Sequence, residues 1–279
     1  MVRVSDYKMA RLREHLAGKR VLVALSGGVD SGALAWVAKD AGAEVTGVTL
    51  HTPFNIAHDV EDATKVAEEV GIRHVVVPVK NGIHSVLAAN QEDRCYFCKK
   101  KIYSRLETVA RDFDVDLVVD GTNVDDVGGS AGYKARVEHP IGAPWLEFGF
   151  HKSEIREVAR SAGLSFWNKS SRRCLAVRIA HGLEITHERL AMVERAEAAL
   201  ASWAGTSDVG LTLHPGDLAR IQVPPRLGSE FVDGRLGELV ETLTGMGIRH
   251  VCLDLGSLLP GRPGQPPSTA VSLRRTTSS

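Results

Sequence analysis

The segment Val21-Leu-Val-Ala-Leu-Ser-Gly-Gly-Val-Asp-Ser31 constrains the fold more strongly than any other part of the chain. An apolar run without polar alternation, typical of a strand buried on both faces, leads into two glycines and then into a helix-like stretch. Glycines let the backbone approach an anion closely, and a helix start offers unpaired N–H groups and a positive dipole end. We therefore predict a phosphate-binding loop made of six consecutive residues: Ser26, Gly27, Gly28, Val29, Asp30 and Ser31.

The polar residues of this loop indicate their own roles. Ser26 and Ser31 provide hydroxyl donors, and Asp30 could cap the helix or hold a magnesium ion. The loop is not a Walker loop, because Gly-x-x-x-x-Gly-Lys is absent, and it lacks the third glycine of a dinucleotide-binding loop. The alternative is a plain strand–turn–helix whose polar residues only cap the helix.

Apolar runs alternate with amphipathic stretches through the first two-thirds of the chain. The predicted strands are Arg20–Leu25, Glu44–Leu50, Arg73–Val79 and Asp116–Asp120, and the predicted helices are Asp30–Ala41, Val60–Val70, 92–112, His151–Ala162 and His187–Trp203. This alternation predicts an α/β fold with a doubly wound parallel sheet and right-handed crossovers. Pro78 indicates that the third strand ends at an edge or a bulge. Ligands of such sheets bind beyond the carboxyl ends of the strands, where the strand order reverses.

The sequence pattern changes near residue 205, where we place a domain boundary, so that residues 1–205 form the first domain. We predict that residues 206–256 form a smaller C-terminal α+β domain. Its predicted elements are strands at Leu218–Val223 and His250–Leu255 and a helix at Phe231–Thr244. Residues 257–279, rich in Gly, Pro, Ser and Thr, predict a disordered tail.

Composition argues against several classes of protein. The 279 residues carry no net formal charge, so nothing in bulk drives the chain toward nucleic acid or an anionic membrane, although Arg94 and Lys99–Lys101 form a local basic cluster. No apolar run reaches the roughly 18 residues of a membrane helix, and the N-terminus lacks the core of a signal peptide. Four unevenly spaced cysteines do not resemble a disulfide framework. We expect a cytoplasmic protein with reduced thiols.

A second polar segment, Asp120-Gly-Thr-Asn-Val-Asp-Asp126, follows the fourth predicted strand. It should lie at the same end of the sheet as the phosphate loop, where Gly121 and Thr122 could contact a nucleotide. Asp125 could share a magnesium ion with Asp30. The alternative is an Asp- and Asn-rich turn with only local hydrogen bonds.

Cys174 lies among three arginines, Arg172, Arg173 and Arg178. Neighbouring guanidinium groups stabilise a thiolate and lower its pKa, which would make Cys174 a nucleophile for an activated carboxyl group. The alternative is an incidental thiol in a loop.

Cys95 and Cys98 form a single Cys-x-x-Cys pair. The pair alone fits a zinc half-site, a redox pair, a cluster half-site or two packed helix residues, and structural zinc needs four ligands. A three-cysteine iron–sulfur site with Cys174 would leave one iron open. Cys252 lies in a predicted strand, and we expect it in the core.

Several motifs occur together and in order. The string Ser26–Ser31 matches the signature of the PP-loop ATP pyrophosphatases. It is followed by Arg94-Cys-Tyr-Phe-Cys-Lys99, Asp120-Gly-Thr-Asn-Val-Asp-Asp126, Arg173-Cys-Leu-Ala-Val-Arg178 and Ala219-Arg-Ile-Gln-Val223. Over roughly residues 15–256 the chain resembles the ATP-dependent sacrificial sulfur transferases (LarE), which help to build the nickel-pincer nucleotide of lactate racemase.

The resemblance implies an adenine nucleotide alpha hydrolase-like fold and a reaction. ATP, with Mg²⁺, adenylylates a carboxylate of a nicotinate-derived pyridinium mononucleotide with release of pyrophosphate, and a cysteine thiolate then displaces AMP. Cleavage of the Cβ–S bond of that cysteine leaves a thiocarboxylate on the substrate and dehydroalanine in the protein; Cys174 matches the donor position. The resemblance also implies a small-molecule substrate and a homo-oligomer. Some members hold an iron–sulfur cluster with several cysteines, a role that Cys95 and Cys98 do not obviously fill.

Four places depart from the family pattern. Leu211 and Leu213 replace an Arg-x-Arg pair suited to a substrate phosphate, and Gln222 replaces a glutamate that could transfer a proton. Ser130-Ala-Gly132 replaces Arg-Pro-Gly, and Gly256-Ser-Leu-Leu-Pro260 replaces an arginine-bearing turn. Losing two guanidinium–phosphate contacts could cost on the order of several kcal/mol, so the acceptor could differ from that of the family.

Four functions therefore stay open at this point. The first is sacrificial sulfur transfer to the pyridinium carboxylate, and the second is the same chemistry on another small acceptor, giving a thioacid or thioamide. The third is an ammonia-using amide synthetase, which shares the loop and needs no reactive cysteine. The fourth is a nucleotide-binding protein without catalysis.

Overall fold

The computed structural model describes residues 4–56, 58–79, 83, 85–127, 131–170, 173–228 and 236–259. The chain divides into two compact units. The first runs to Val177 and includes His181–Leu190, and the second consists of Arg178–Ala180 and the residues from Ala191 onward. The boundary near residue 205 stays a prediction, and residues 260–279 of the predicted tail lie outside the described residues.

The first unit contains a four-stranded sheet and most of the helices. Its strands are β1 (Arg20–Ala24), β2 (Glu44–His51), β3 (Arg73–Pro78) and β4 (Leu117–Val119), and its helices are α1 (Val4–Leu16), α2 (Val29–Asp40), α3 (Asp59–Val70), α4 (Ser85–Ala88), α5 (Arg94–Phe113), α6 (Ala131–Val137), α7 (Pro144–Glu147) and α8 (Lys152–Ser161). All neighbouring strands are parallel, in the order β3-β2-β1-β4. The order reverses between β1 and β4, which confirms the predicted α/β fold and doubly wound sheet. Pro78 ends an edge strand, as predicted.

Strand β1 is buried because helices cover the sheet on both faces. Val21 and Val23 belong to one apolar core with side chains of α1, α2, α3 and α8. Leu22 points to the opposite face, where it packs with Leu106 of α5. Burial of each such side chain stabilises the fold by roughly 1.5–3 kcal/mol. The phosphate loop therefore starts from the most firmly packed strand of the sheet.

The second unit carries a smaller sheet, in agreement with the predicted α+β unit. It contains most of α9 (His187–Ala204), β5 (Gly210–His214), β6 (Leu218–Gln222), α10 (Leu236–Gly245) and β7 (His250–Leu253). Strand β6 pairs antiparallel with β5 and parallel with β7. Strand β5 was not predicted, because it is short and begins with a glycine. Residues 231–235 of the predicted helix Phe231–Thr244 lie outside the described residues.

The expectation that Cys252 lies in the core is wrong. Its thiol is exposed, because β7 is an edge strand and Cys252 points to the open face of the small sheet. In the described part of the chain, none of the helices has both the length and the apolar character that a membrane crossing requires.

Candidate active site

The phosphate loop connects β1 to α2 at the point where the strand order reverses. Gly27 has a φ of +72°, and a Cβ at this residue would lie 2.7 Å from the backbone nitrogen of Ala63, so glycine is required. Gly28 is the N-cap of α2, and no described side chain caps the helix. Asp30 therefore does not act as a cap. The first N–H groups of α2 are left available for an anion.

The two serines lie within the loop, and the segment after β4 lies against it. The hydroxyl oxygens of Ser26 and Ser31 are 3.1 Å apart, and the Ser31 hydroxyl donates to the Gly28 carbonyl at 3.3 Å. A Cβ on Gly121 would lie 2.8 Å from the backbone nitrogen of Ser31. Glycine at this position allows the two backbones to approach each other, so the structure brings together the two polar segments that end β1 and β4.

Two adjoining cavities open at this end of the sheet. The β4 cavity has a volume of about 770 Å³ and is lined by Asp120, Gly121 and Thr122. The cysteine cavity has a volume of about 520 Å³ and is lined by Cys95, Cys98 and Cys174 together with residues 26–30 of the phosphate loop. Both linings include Ser26, Leu50, Asn55, Lys99, Ile102 and Gly132. A ligand bound in one cavity can therefore reach the other.

The β4 cavity has an apolar wall and a fixed polar edge. Leu50 and Leu106 contribute to the wall. The Tyr103 hydroxyl donates to Asp120 Oδ2 at 2.8 Å, and the Thr122 N–H donates to Asp120 Oδ1 at 2.9 Å. Burial, together with the charge of Asp120, raises the pKa of Tyr103, so its phenol stays protonated and keeps donating. Such a cavity suits an aromatic base and a sugar.

The first turn of α8 contacts both carboxylates that we predicted for magnesium. His151 Nδ1 lies 2.8 Å from Asp125 Oδ1, and the Lys152 N–H donates to Asp125 Oδ2 at 2.7 Å. The His151 ring and then this N–H hold the pKa of Asp125 below its usual value. The Lys152 ammonium donates to Asp30 Oδ2 at 2.9 Å.

Asp30 retains one oxygen that suits a cation. Its Oδ1 is buried and has no hydrogen-bond partner in the described part of the chain. A buried carboxylate oxygen of this kind fits a magnesium ion carried by a nucleotide. Among the described residues, no group of three or more His, Cys, Asp or Glu side chains is arranged to hold a metal by itself.

The loop before Cys174 is tied to the phosphate loop. The Lys169 ammonium donates to the Gly27 carbonyl at 2.7 Å and lies 2.7 Å from Asp62 Oδ2 on α3. Just after the cysteine, the Leu175 N–H donates to the Phe54 carbonyl at 2.9 Å. Cys174 itself is exposed. These contacts hold its segment at the cavity that the phosphate loop also lines.

The three arginines expected around Cys174 have different positions. Arg173 lines the cysteine cavity, whereas Arg172 lies outside the described residues. In the second unit, Arg178 Nε lies 2.8 Å from Glu197 Oε1, and burial raises the pKa of Glu197. The charge of Arg178 is thus partly neutralised by an ion pair.

Cys95 and Cys98 lie three residues apart at the start of α5 and differ in environment. Burial, reinforced by the electrostatic effect of nearby Cys174, raises the pKa of the Cys98 thiol to about 11. Cys98 is therefore a neutral thiol near pH 7. Cys95 Sγ lies 3.8 Å from Arg94 Nη2.

Three site residues were not predicted from the sequence, namely His151, Lys152 and Lys169. Lys152 lies 122 positions from its partner Asp30, and Lys169 lies 142 positions from Gly27. Their roles follow from the strand order, which a local pattern does not contain. The only available signal was that Lys169 precedes Cys174 in the same polar loop.

Most of the described departures from the family pattern lie in the second unit. Leu211 and Leu213 on β5 are each 1% exposed and belong to the core. Gln222 Nε2 donates to Asp254 Oδ2 at 3.1 Å. Ser130 and Pro260 lie outside the described residues.

A doubly wound sheet with an open glycine loop at its switch point is the arrangement of a nucleotide-binding α/β protein, and the string Ser26–Ser31 gives this loop the PP-loop signature. A family model described as NAD synthase matches residues 3–118, which include the phosphate loop. The chain is also 33% identical over 138 residues to a tRNA-specific 2-thiouridylase of Rhizorhabdus wittichii, a match that covers 42% of this chain and 36% of that protein.

Several relatives match almost the whole chain. An uncharacterized protein of Synechocystis is 36% identical over 261 residues, which are 92% of this chain and 97% of that protein. Pyridinium-3,5-bisthiocarboxylic acid mononucleotide synthase of Lactiplantibacillus plantarum is 33% identical over 251 residues, 88% of each chain. The chain therefore belongs to the family of this synthase, the ATP-dependent sulfur transferases (LarE), as the resemblance indicated. Membership implies ATP as co-substrate and Mg²⁺ with it.

Proposed function

We propose that this protein adenylylates a carboxylate of a pyridinium mononucleotide and transfers to it the sulfur of Cys174. The observation that carries the proposal is that Cys174 and residues 26–30 line one cavity of about 520 Å³. The name of the relative from Lactiplantibacillus plantarum supports the acceptor, since a pyridinium dicarboxylate mononucleotide is the oxygen counterpart of a bisthiocarboxylic acid.

Each part of the reaction has residues suited to it. The base and ribose of ATP would bind in the β4 cavity, while the first N–H groups of α2 and the hydroxyls of Ser26 and Ser31 would hold the phosphates. A magnesium ion, when bound, supplies positive charge at these phosphates. Asp30 would hold it through Oδ1, and Asp125 is the second candidate.

In the first step, an oxygen of the acceptor carboxylate attacks the α-phosphorus of ATP. The bond from that phosphorus to the bridging oxygen breaks, giving an acyl adenylate and pyrophosphate. Lys152 and Lys169 line the same cavity as the phosphate loop and can neutralise the charge of the leaving pyrophosphate.

In the second step, the Cys174 thiolate attacks the activated acyl carbon, and AMP leaves with the electrons of the C–O bond. Loss of the Cα proton and cleavage of the Cβ–S bond then give a thiocarboxylate and dehydroalanine. Overall, the protein loses the elements of H₂S, and the oxygen removed from the acceptor leaves with AMP. Gln222 cannot take up the Cα proton as the glutamate of the family could, so another base must do so.

Intact-mass analysis of the full chain tests this proposal. After incubation with ATP, Mg²⁺ and pyridinium-3,5-dicarboxylate mononucleotide, we expect the protein to lose the mass of one H₂S, localised to Cys174 by peptide mapping. Cys174→Ser should release pyrophosphate without forming the thiocarboxylate. Cys252→Ser, in the open face of the small sheet, is the matched control and should retain both activities. Product formation with unchanged protein mass would rule out sacrificial transfer.

A second candidate keeps the adenylylation and changes the acceptor. The buried Leu211 and Leu213 favour it, because they provide no guanidinium groups for a substrate phosphate. A panel of carboxylates, each assayed for ATP-dependent pyrophosphate release, separates the two candidates. A clear preference for the pyridinium substrate would eliminate this alternative.

Finer features of the family are also proposals for this chain. A cluster held by Cys95, Cys98 and Cys174 would require all three thiols of the cysteine cavity, and iron and sulfide analysis after anaerobic reconstitution measures it. We also propose a homo-oligomer, to be measured by sedimentation equilibrium, and a cytoplasmic location in which the thiols stay reduced.

A further inference from the structure

Arg94, the first residue of α5, is a buried cation at the cysteine cavity. It is 3% exposed and still lines the cysteine cavity. Its guanidinium donates to Asn90 Oδ1, and its Nη2 lies 3.8 Å from Cys95 Sγ. No carboxylate pairs with Arg94 among the described residues. Because a buried charge without a counter-charge is costly, this arrangement favours an anionic ligand.

The charges around the cysteine cavity point the same way. Its lining includes five cationic side chains, Arg94, Lys99, Lys152, Lys169 and Arg173, and three carboxylates, Asp30, Asp59 and Asp62. Lys152 pairs with Asp30, and Lys169 pairs with Asp62. The cavity therefore carries a surplus of positive charge, and Arg94 is the deeply buried member of that surplus.

The location of Arg94 assigns it to the acceptor and not to ATP. Lys99 lines both cavities and can contact a nucleotide that extends from one to the other. Arg94 lines the cysteine cavity alone, adjacent in sequence to Cys95. In the proposed function, the N–H groups of α2, with Lys152 and Lys169, hold the phosphates of ATP.

The guanidinium is also held in place before any ligand binds. Asn90, whose φ is +52°, accepts from Arg94 through Oδ1 and donates through Nδ2 to the Leu183 carbonyl at 2.7 Å. The Gly182 N–H donates to the Asn90 carbonyl at 3.0 Å. A planar guanidinium fixed in this way presents a fork that matches the two oxygens of a carboxylate.

We propose that Arg94 binds the carboxylate of the acceptor that is not being activated and thereby selects a dicarboxylate over a monocarboxylate. The inference rests on the proposed function and extends it, because it names the group that selects the substrate. Binding one carboxylate at Arg94 turns the other toward the phosphate loop and Cys174. This contact also supplies anion recognition in a chain that has Leu211 and Leu213 in place of the family's arginine pair.

Two acceptors that differ by one group test the proposal. Pyridinium-3,5-dicarboxylate mononucleotide and pyridinium-3-carboxylate mononucleotide share the ring, ribose and phosphate, and only the first carries the second carboxylate. We expect the wild-type chain to prefer the dicarboxylate in kcat/KM for pyrophosphate release by about 10-fold to 100-fold. Arg94→Met should abolish this preference and leave the KM for ATP unchanged. Arg94→Lys should retain part of it.

The control and the opposing outcomes separate the inference from the proposed function. Lys100→Met, on the same helix but outside both cavity linings, should retain the preference and the rate. No pyrophosphate release with either acceptor would reject the proposed function, and the inference with it. Equal kcat/KM for both acceptors in the wild-type chain would reject the inference alone, even if Arg94→Met failed to fold. An unchanged preference in folded Arg94→Met, or a raised KM for ATP, would also overturn it.

Discussion

Lys152 links two carboxylates that lie far apart in the sequence. Its backbone N–H holds Asp125, and its ammonium donates to Asp30 beside the phosphate loop. The lysine therefore offsets the charge of Asp30 in the absence of a metal ion. In the proposed function Asp30 would hold a magnesium ion, and the Lys152 ammonium would then be available to neutralise the charge of the leaving pyrophosphate.

We expect Lys152→Met to lower kcat for pyrophosphate release by about 10-fold to 100-fold, because a positive charge beside the leaving group is lost. Lys8→Met is the matched control, since Lys8 forms an ion pair of 3.0 Å with Glu154 on the same helix, outside both cavity linings. Pyrophosphate release is measured by a coupled assay under saturating ATP. Equal rates in the two variants would argue against a role for Lys152 in this step.

Residues of the site differ in how well the sequence predicted them. The loop glycines were predictable because the local sequence string indicates a close approach of two backbones. At Gly27 this approach leaves no room for a side chain. Lys152 was not, because its partner lies 122 positions away. Arg178 was expected beside the thiol of Cys174, yet it pairs with Glu197, a residue whose burial no local pattern indicates. The local sequence thus predicts where the backbone requires glycine better than it predicts which charged side chains form ion pairs.

At the scale of elements, buried strands were predicted well and marginal elements were not. Strand β1 is apolar throughout because both of its faces are covered, and this pattern is unambiguous. Helix α1 was missed because most of its residues are polar, although Leu12 and Leu16 are fully buried. Strand β5 was missed because it begins with a glycine, a residue that is depleted in strands.

The first turn of α8 should depend on pH through Asp125. Its pKa is depressed by His151 and the Lys152 N–H, so its ionised form stabilises the fold above the usual pKa of about 3.9. This contribution is lost as the pH falls through the lower pKa of the folded state. We expect the wild-type chain to have a higher Tm than Asp125→Asn at pH 7, and this difference should shrink toward pH 3. Circular dichroism melts across this range measure it, and a difference independent of pH would contradict the assignment.

At the scale of the whole molecule, nucleotide binding should stabilise the unit that contains the binding residues. The phosphate loop, both cavities and all three cavity cysteines belong to the first unit. A ligand that binds only the folded state stabilises it by about 2.7 kcal/mol at a concentration 100-fold above Kd. This gain should fall on the first unit.

We therefore expect a non-hydrolysable ATP analogue with magnesium to raise the Tm of the first unit's transition. EDTA should reduce this shift, because Asp30 Oδ1 then has no cation to bind. Differential scanning calorimetry of the full chain measures the transition. Gly121→Ala should lose the shift, because the added Cβ would lie 2.8 Å from the Ser31 nitrogen. Gly237→Ala, with nothing within 4 Å of its Cβ, is the control and should keep it. An equal shift in both variants would count against the loop as the nucleotide site.

The parallel arrangement of the strands has a practical consequence for the opposite end of the sheet, where the strands begin. The segments that carry chemistry follow the carboxyl end of β1 or β4, or meet them there as helices and as the loop that carries Lys169 and Cys174. The turns that precede β1 and β2 lie at the other end, where an added Cβ at Gly18 or Gly42 meets nothing within 4 Å. These two turns are therefore the natural places to attach a fluorophore or insert an affinity peptide while leaving the chemistry undisturbed.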